Sequence, residues 1–148
     1  MCKMIDMKKI ITLYTPKQEK ELLVLYTESL IKAGFPSPAE DHTDLKLDLN
    51  KELIKNPSAT FFARVSGESM IGDGVGDGDI LVVDRSVEPA DGQIAVCFLD
   101  GEFTLKRVRI NGKTIILVPA NPSYKQIEVT ADNDFSIWGV VRYIIKKV

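Results

Sequence analysis

From residue 60 onward, apolar residues recur at alternate positions or in short runs broken by polar turns: "TFFARV", "DILVVD", "QIAVCFLD", "EFTLKRVRI", "KTIILVP", "QIEVT" and "FSIWGVVRYIIKK" follow one another. Runs this short, rich in β-branched and aromatic residues, predict seven strands. Two of the turns carry hairpin dipeptides, Asp100-Gly101 in "LDGEF" and Asn111-Gly112 in "RINGKT", which supply the positive φ a tight hairpin needs. Residues 58–148 therefore read as one compact, mainly β domain.

Upstream the pattern changes. "QEKELLVLYTESLIKAG", residues 18–34, spaces Leu22, Leu25, Tyr26, Leu30 and Ile31 near a helical period, with Gly34 as a stop signal; this predicts an amphipathic helix. So short a helix is marginal in water, so its stripe must rest on the main domain or on a second copy. "GFPSPAEDHTD", residues 34–44, has the prolines and acidic cluster of an extended, exposed linker. "DLNKELIKNPSAT" fits one short helix between an N-cap at Asp48 or Asn50 and a terminator at Pro57. The expected organisation is a mobile, partly helical arm (1–33), a linker with a short helix (34–57), and the β domain (58–148).

Composition narrows the function. The 148 residues are 45% hydrophobic and 27% charged, with a formal net charge of -2, ordinary for a globular domain and without the broad basic surface of a nucleic-acid binder. Cys2 and Cys97 form no CxxC pair and no secretory leader accompanies them, so both read as reduced thiols of a cytoplasmic protein. The longest apolar runs fall far short of the roughly 20 residues that span a bilayer, and no membrane anchor is expected.

Lys106 is the first unusual placement. Counting by twos, it shares a face of "EFTLKRVRI" with Val108 and Ile110, while Arg107 and Arg109 take the other. A lysine buried with aliphatics loses hydration of its charged form and becomes available as a neutral base; a snorkelling side chain or a bulge that turns it outward is the alternative. Ser69 needs such a neighbour, because a serine hydroxyl is a poor nucleophile until its proton is removed. The one histidine, His42, lies in the linker, so a Ser-His-Asp triad would require that segment to fold back. Ser-Lys is the remaining dyad, and the glycines around Ser69 would let backbone N-H groups line an oxyanion hole.

The stretch "DGVGDGDILVVD" from Asp73 also resembles a calcium loop through Asp73, Asp77, Gly78 and Asp84. However, Val75 occupies a ligand position and Asp84 is too short for the closing bidentate glutamate. Phosphate-cradling patterns fail as well, since no third glycine or GK[ST] follows. Neither a metal nor an organic cofactor is expected.

Four ordered blocks, "SGESM" (66–70), "DGDILVVD" (77–84), "DGEFTLKRV" (100–108) and "NPSY" (121–124), resemble the self-cleaving serine peptidase domain of the LexA/UmuD family, which has a signal-peptidase-like β fold. Ser69 and Lys106 stand 106 − 69 = 37 residues apart, with the lysine in the strand after the hairpin, as in that family. "GFPSPAEDH", "DLNKELIKNPSATFF" and "FSIWGVVRYIIKK" bring the likeness closest to its UmuD branch, over residues 32–148. The resemblance implies that Ser69 attacks the chain's own Ala33-Gly34 bond, Lys106 takes the proton, and backbone amides of Glu68 and Ser69 hold the oxyanion. At position 33 this chain has alanine, as LexA repressors do, where UmuD has cysteine. It further implies stimulation by the RecA filament on single-stranded DNA, homodimers, and service to an error-prone UmuC-like Y-family DNA polymerase in the SOS response.

Other classes share parts of this pattern. A LexA-like repressor needs a DNA-binding module for which about 32 residues with one expected helix are too few. Type I signal peptidases use Ser-Lys but need a membrane anchor. A non-catalytic binding module on the same fold would be expected to have lost Ser69 or Lys106.

Overall fold

The computed structural model describes the backbone of residues 4–7, 11–14, 23–26 and 45–148, with side chains from residue 47 onward. The chain divides into two compact units, residues 1–17 with 56–148 and residues 18–55. The larger holds a nine-stranded antiparallel sheet of order β1-β2-β5-β6-β11-β7-β8-β9-β10.

All seven predicted strands form: β5 (Thr60–Val65), β6 (Ile80–Asp84), β7 (Ile94–Leu99), β8 (Glu102–Asn111), β9 (Thr114–Val118), β10 (Ile127–Val129) and β11 (Phe135–Ile145). The first hairpin turns at Asp100 (φ 48°) and Gly101 (φ 87°), the double positive φ that matches the twist of the flanking strands. In the second, Asn111 pairs with Thr114. The two-residue turn is therefore Gly112-Lys113, with positive φ at the glycine alone.

The arm departs from expectation. Its described stretches are strands: β1 (Met4–Met7) and β2 (Ile11–Tyr14) form a hairpin, and β2 pairs with β5 along Thr12↔Arg64 and Leu13↔Ala63. Within 18–34, where periodicity predicts a helix, Leu23–Tyr26 is β3, paired with β4 (Leu45–Asp48) in the smaller unit. The run "LLVLY" satisfies a short strand as well as a helical stripe, and local periodicity cannot separate the two. The short helix forms as expected: α1 (Leu49–Leu53) starts at Asp48, whose carboxylate accepts the Asn50 N–H at 3.0 Å. Among the described residues no helix is long and apolar enough to cross a membrane.

β11 joins the two halves of the sheet. Its first part pairs with β7 and its second with β6, with register shifts between Ile137 and Gly139 and between Val141 and Tyr143. Such bulges bend a strand and sharpen its twist. At the first shift Trp138 packs edge-on against Phe61 and Phe103, with the Arg85 guanidinium 4.4 Å over its ring.

Two apolar clusters flank the sheet. One gathers Ala63, Met70, Val75, Leu81, Val96 and Leu105; the other holds Ala95, Cys97, Val108 and Leu117, with Ile110 packed on it. The alternation along β8 places Leu105 in the first cluster and Val108 in the second, so Lys106 lies on the second cluster's face.

An ion pair ties the C-terminal tail to the loop before β6: Lys146 Nζ lies 2.5 Å from Asp79 Oδ2. Burial pushes the Asp79 carboxyl up, but the Lys146 and Gly76 hydrogen bonds outweigh it and hold its pKa below the ordinary 3.8. That stabilisation is present above the unfolded-chain value and is lost as pH falls through the lower folded value. Lys146→Ala should therefore cost about 1–2 kcal/mol at pH 7 in chemical denaturation, discounted for the exposure of the lysine. The gap from wild type should narrow as pH falls below the ordinary 3.8 and through the lowered folded value of Asp79; a gap that stays constant as the solution is acidified would reject this origin.

Candidate active site

Ser69 stands at the head of a loop held by two anchors. Met70, beside it, is 1% exposed, and Val75 is fully buried; the loop between them is pinned at both ends by side chains of the first cluster. Its abundance of glycine and aspartate follows from how its backbone is satisfied. Asp77 Oδ1 accepts the Gly67 N–H at 2.9 Å, Asp79 Oδ2 accepts the Gly76 N–H at 2.8 Å, and the Gly78 N–H donates to Val65 O at 2.8 Å. Gly67 adopts φ +102°, a conformation that L side chains rarely take.

A second clamp comes from the sheet. Arg107, on the opposite face of β8 from Lys106, pairs with Asp73 at 3.0 Å and also donates to Gly92 O. Asp84 instead binds Asn56 and Ser86. The three aspartates of the calcium-like pattern thus have separate protein partners, and among the described residues no acidic, His or Cys cluster is grouped to hold a metal.

The structure brings Ser69 and Lys106 together across their 37-residue separation: Lys106 Nζ lies 3.1 Å from Ser69 Oγ. It also lies 2.8 Å from Thr104 Oγ1 and 3.0 Å from Leu105 O. Lys106 is 7% exposed. Burial lowers its pKa, while the neighbouring Cys97 pulls weakly the other way, and neutral amine is therefore favoured more than in water. A neutral amine has two N–H donors and one lone pair. In that form the two donors would serve Leu105 O and Thr104 Oγ1, and the lone pair would face Ser69 Oγ. Cys97 is poorly suited to nucleophilic work, since burial pushes its thiol up to about 12.

These residues open onto a cleft of about 460 Å³. Glu68 and Ser69 of the loop, Thr104 and Lys106 of β8, and Tyr124 and Lys125 are among the residues that line it. Glu68 and Ser69, the expected oxyanion residues, thus sit at the cleft. Ala33, Gly34 and His42 lie outside the described residues. Sequence reading missed Thr104, although it lies two positions before Lys106 on the same strand face, and it missed the contribution of the 119–121 loop. In that loop Ala120 N–H donates to Ser69 O at 2.8 Å, Ala120 O accepts the Gly72 N–H at 2.7 Å, and Asn121 Nδ2 donates to Glu68 O at 2.9 Å.

Residues 25–142 match the Peptidase S24-like family. The chain belongs to this family. This S24-like peptidase is 41% identical to Protein SamA of Salmonella typhimurium strain LT2, over 93% of this chain and 96% of that one. It is 44% identical to Protein ImpA of Escherichia coli over 78% and 79% of the two chains. It is also 40% identical to LexA repressor 2 of Pseudomonas syringae pv. tomato, over 93% of this chain and 67% of the repressor. The SamA match reaches into the first thirty residues, beyond the span over which sequence motifs carried the likeness.

Two outcomes follow for the S24-like peptidase. An added Cβ at Gly72 would stand 2.5 Å from Ala120 O, so Gly72→Ala should lower stability by about 1–3 kcal/mol in urea denaturation; a loss under about 0.5 kcal/mol would mean the loops part freely. Because the pKa of Lys106 is lowered on folding from the ordinary 10.5, the unfolded chain binds more protons in the window between the lowered folded value and 10.5, and this residue's contribution to stability rises with pH across that window. Lys106→Met should melt higher than wild type at pH 7, with the advantage shrinking toward about pH 10. A lower melting temperature at pH 7 would contradict the neutral, buried amine.

Proposed function

We infer that this chain is a UmuD-like mutagenesis protein of the SOS response that cleaves itself between Ala33 and Gly34. The observation that carries the reading is the Lys106 amine, held by two acceptors with its third contact on Ser69 Oγ. Ser69 Oγ attacks the Ala33 carbonyl carbon as its proton passes to Lys106 Nζ, and the backbone amides of Glu68 and Ser69 stabilise the oxyanion. The tetrahedral intermediate collapses with Lys106 returning its proton to the Gly34 nitrogen, which leaves as the new amine. Water, deprotonated by the again neutral Lys106, then attacks the Ala33 acyl ester and frees Ser69. Small residues at the cut let an extended segment enter the cleft without clash.

In this reading residues 1–33 are the removed arm, 34–57 carry the linker and short helix, and 58–148 form the peptidase domain. The RecA filament on single-stranded DNA stimulates the cut in the cytoplasm. The trimmed chain forms a homodimer that serves a UmuC-like Y-family translesion polymerase. The likeness to SamA and ImpA supports this reading.

The test is intact mass after incubation of purified protein at about pH 10, wild type beside Ser69→Ala. A fragment beginning at Gly34 is expected from the wild type alone; cutting at 33-34 in Ser69→Ala would refute the nucleophile. The wild-type rate should climb with pH as Lys106 loses its proton, and a flat profile from about pH 6 to 10 would refute the base.

A further inference from the structure

We propose that Asn121 is a positioning residue for Ser69: by holding the Glu68 carbonyl, it aims the Ser69 backbone N–H toward the place where the oxyanion forms. This inference rests on the self-cleavage reading above and adds a residue to it. The peptide bonds are all trans, and in a planar trans peptide the N–H points opposite to the C=O that precedes it. Asn121 Nδ2 holds Glu68 O at 2.9 Å, so the Ser69 N–H is directed away from the 119–121 loop. Ala120 N–H holds Ser69 O at 2.8 Å, which orients the Met70 N–H by the same rule. The Ile71 N–H also reaches Glu68 O, at a longer 3.3 Å; the 119–121 loop thus adds a contact to each of two consecutive peptide planes at Ser69, and Asn121 supplies the side-chain part of that grip.

The same side chain has a second bond. Asn121 Oδ1 accepts the Ser123 N–H at 3.0 Å, and Asn121 O accepts the Tyr124 N–H at 3.0 Å. Its acceptor end therefore folds the turn that delivers Tyr124 and Lys125 to the cleft, while its donor end holds the serine loop. One amide links two walls of the cleft. Only a residue with a donor and an acceptor on one short side chain does both, and Asn121→Asp separates them: a carboxylate keeps the turn bond but has no hydrogen to give Glu68 O.

The experiment compares self-cleavage of wild type and Asn121→Asp across about pH 7 to 10.5, with thermal melts of both. Removing an oxyanion donor outright costs about 10²–10³-fold in rate, so misaiming one through its neighbour should slow cleavage by about tenfold or more at every pH. The slowing should persist at the top of the pH range, where Lys106 is neutral in both proteins and the added carboxylate's pull on its proton no longer matters. Wild-type cleavage with an equal rate in Asn121→Asp would overturn the inference alone. So would a rate that falls only in proportion to the unfolded fraction, or one that regains the wild-type value at high pH, which would place the effect on the protonation of Lys106 instead. A wild type that stays whole under all conditions would sink the underlying function and this inference together.

Discussion

Placing a lysine amine inside a β-sheet works against the hydration of its charge, and the arrangement around Ser69 depends on how that conflict is met. Lys106 shares its strand face with Val108 and Ile110 and lies opposite Ala95 in β7. Its end reaches Thr104, Leu105 and Ser69. Water is largely excluded, so burial lowers the pKa, and the two acceptors replace lost solvation for the N–H groups without supplying a negative charge that would restore the ammonium. A carboxylate in place of Thr104 would favour the charged form and remove the base. In the proposed chemistry the poor fit of a charged lysine to this site is what makes it reactive.

In the proposed chemistry a base serves only if the hydroxyl is presented to it at a fixed distance, and that requirement falls on the loop around residue 69. Its stiffness comes from backbone hydrogen bonds and two buried side chains. Met70 and Val75 anchor it to the first cluster, aspartates take up its amides, and the 119–121 loop holds it from the side. Gly72 permits that approach, since any Cβ would strike Ala120 O. Arg107 gives β8 two connections to the same region: the lysine on one face contacts the serine, and the arginine on the other binds Asp73 of the serine's loop. Consecutive residues of one strand thus fix Ser69 and its loop relative to the sheet.

Much of this was legible in the chain. Seven strands follow from alternation and turn chemistry, and the face that Lys106 occupies follows from a period of two. The Asp100-Gly101 turn and the Asp48 cap are local devices, determined by residues adjacent in sequence. Motif spacing also picked out Ser69 and Lys106, and the family match over 25–142 agrees with that likeness.

What local pattern could not decide are the arrangements that depend on contacts between distant segments. "LVLY" becomes a strand because Leu45–Asp48 pairs with it, and "ITLY" becomes one beside β5; a run of four carries no period of its own. The bulges of β11, the hold of Asn121 on Glu68, and the 3.1 Å approach of residues 37 apart all depend on how strands far apart in sequence align. The amino-acid order states which faces are apolar and where the chain turns. Only the packed sheet sets the register between strands, and it also sets how much water reaches Lys106.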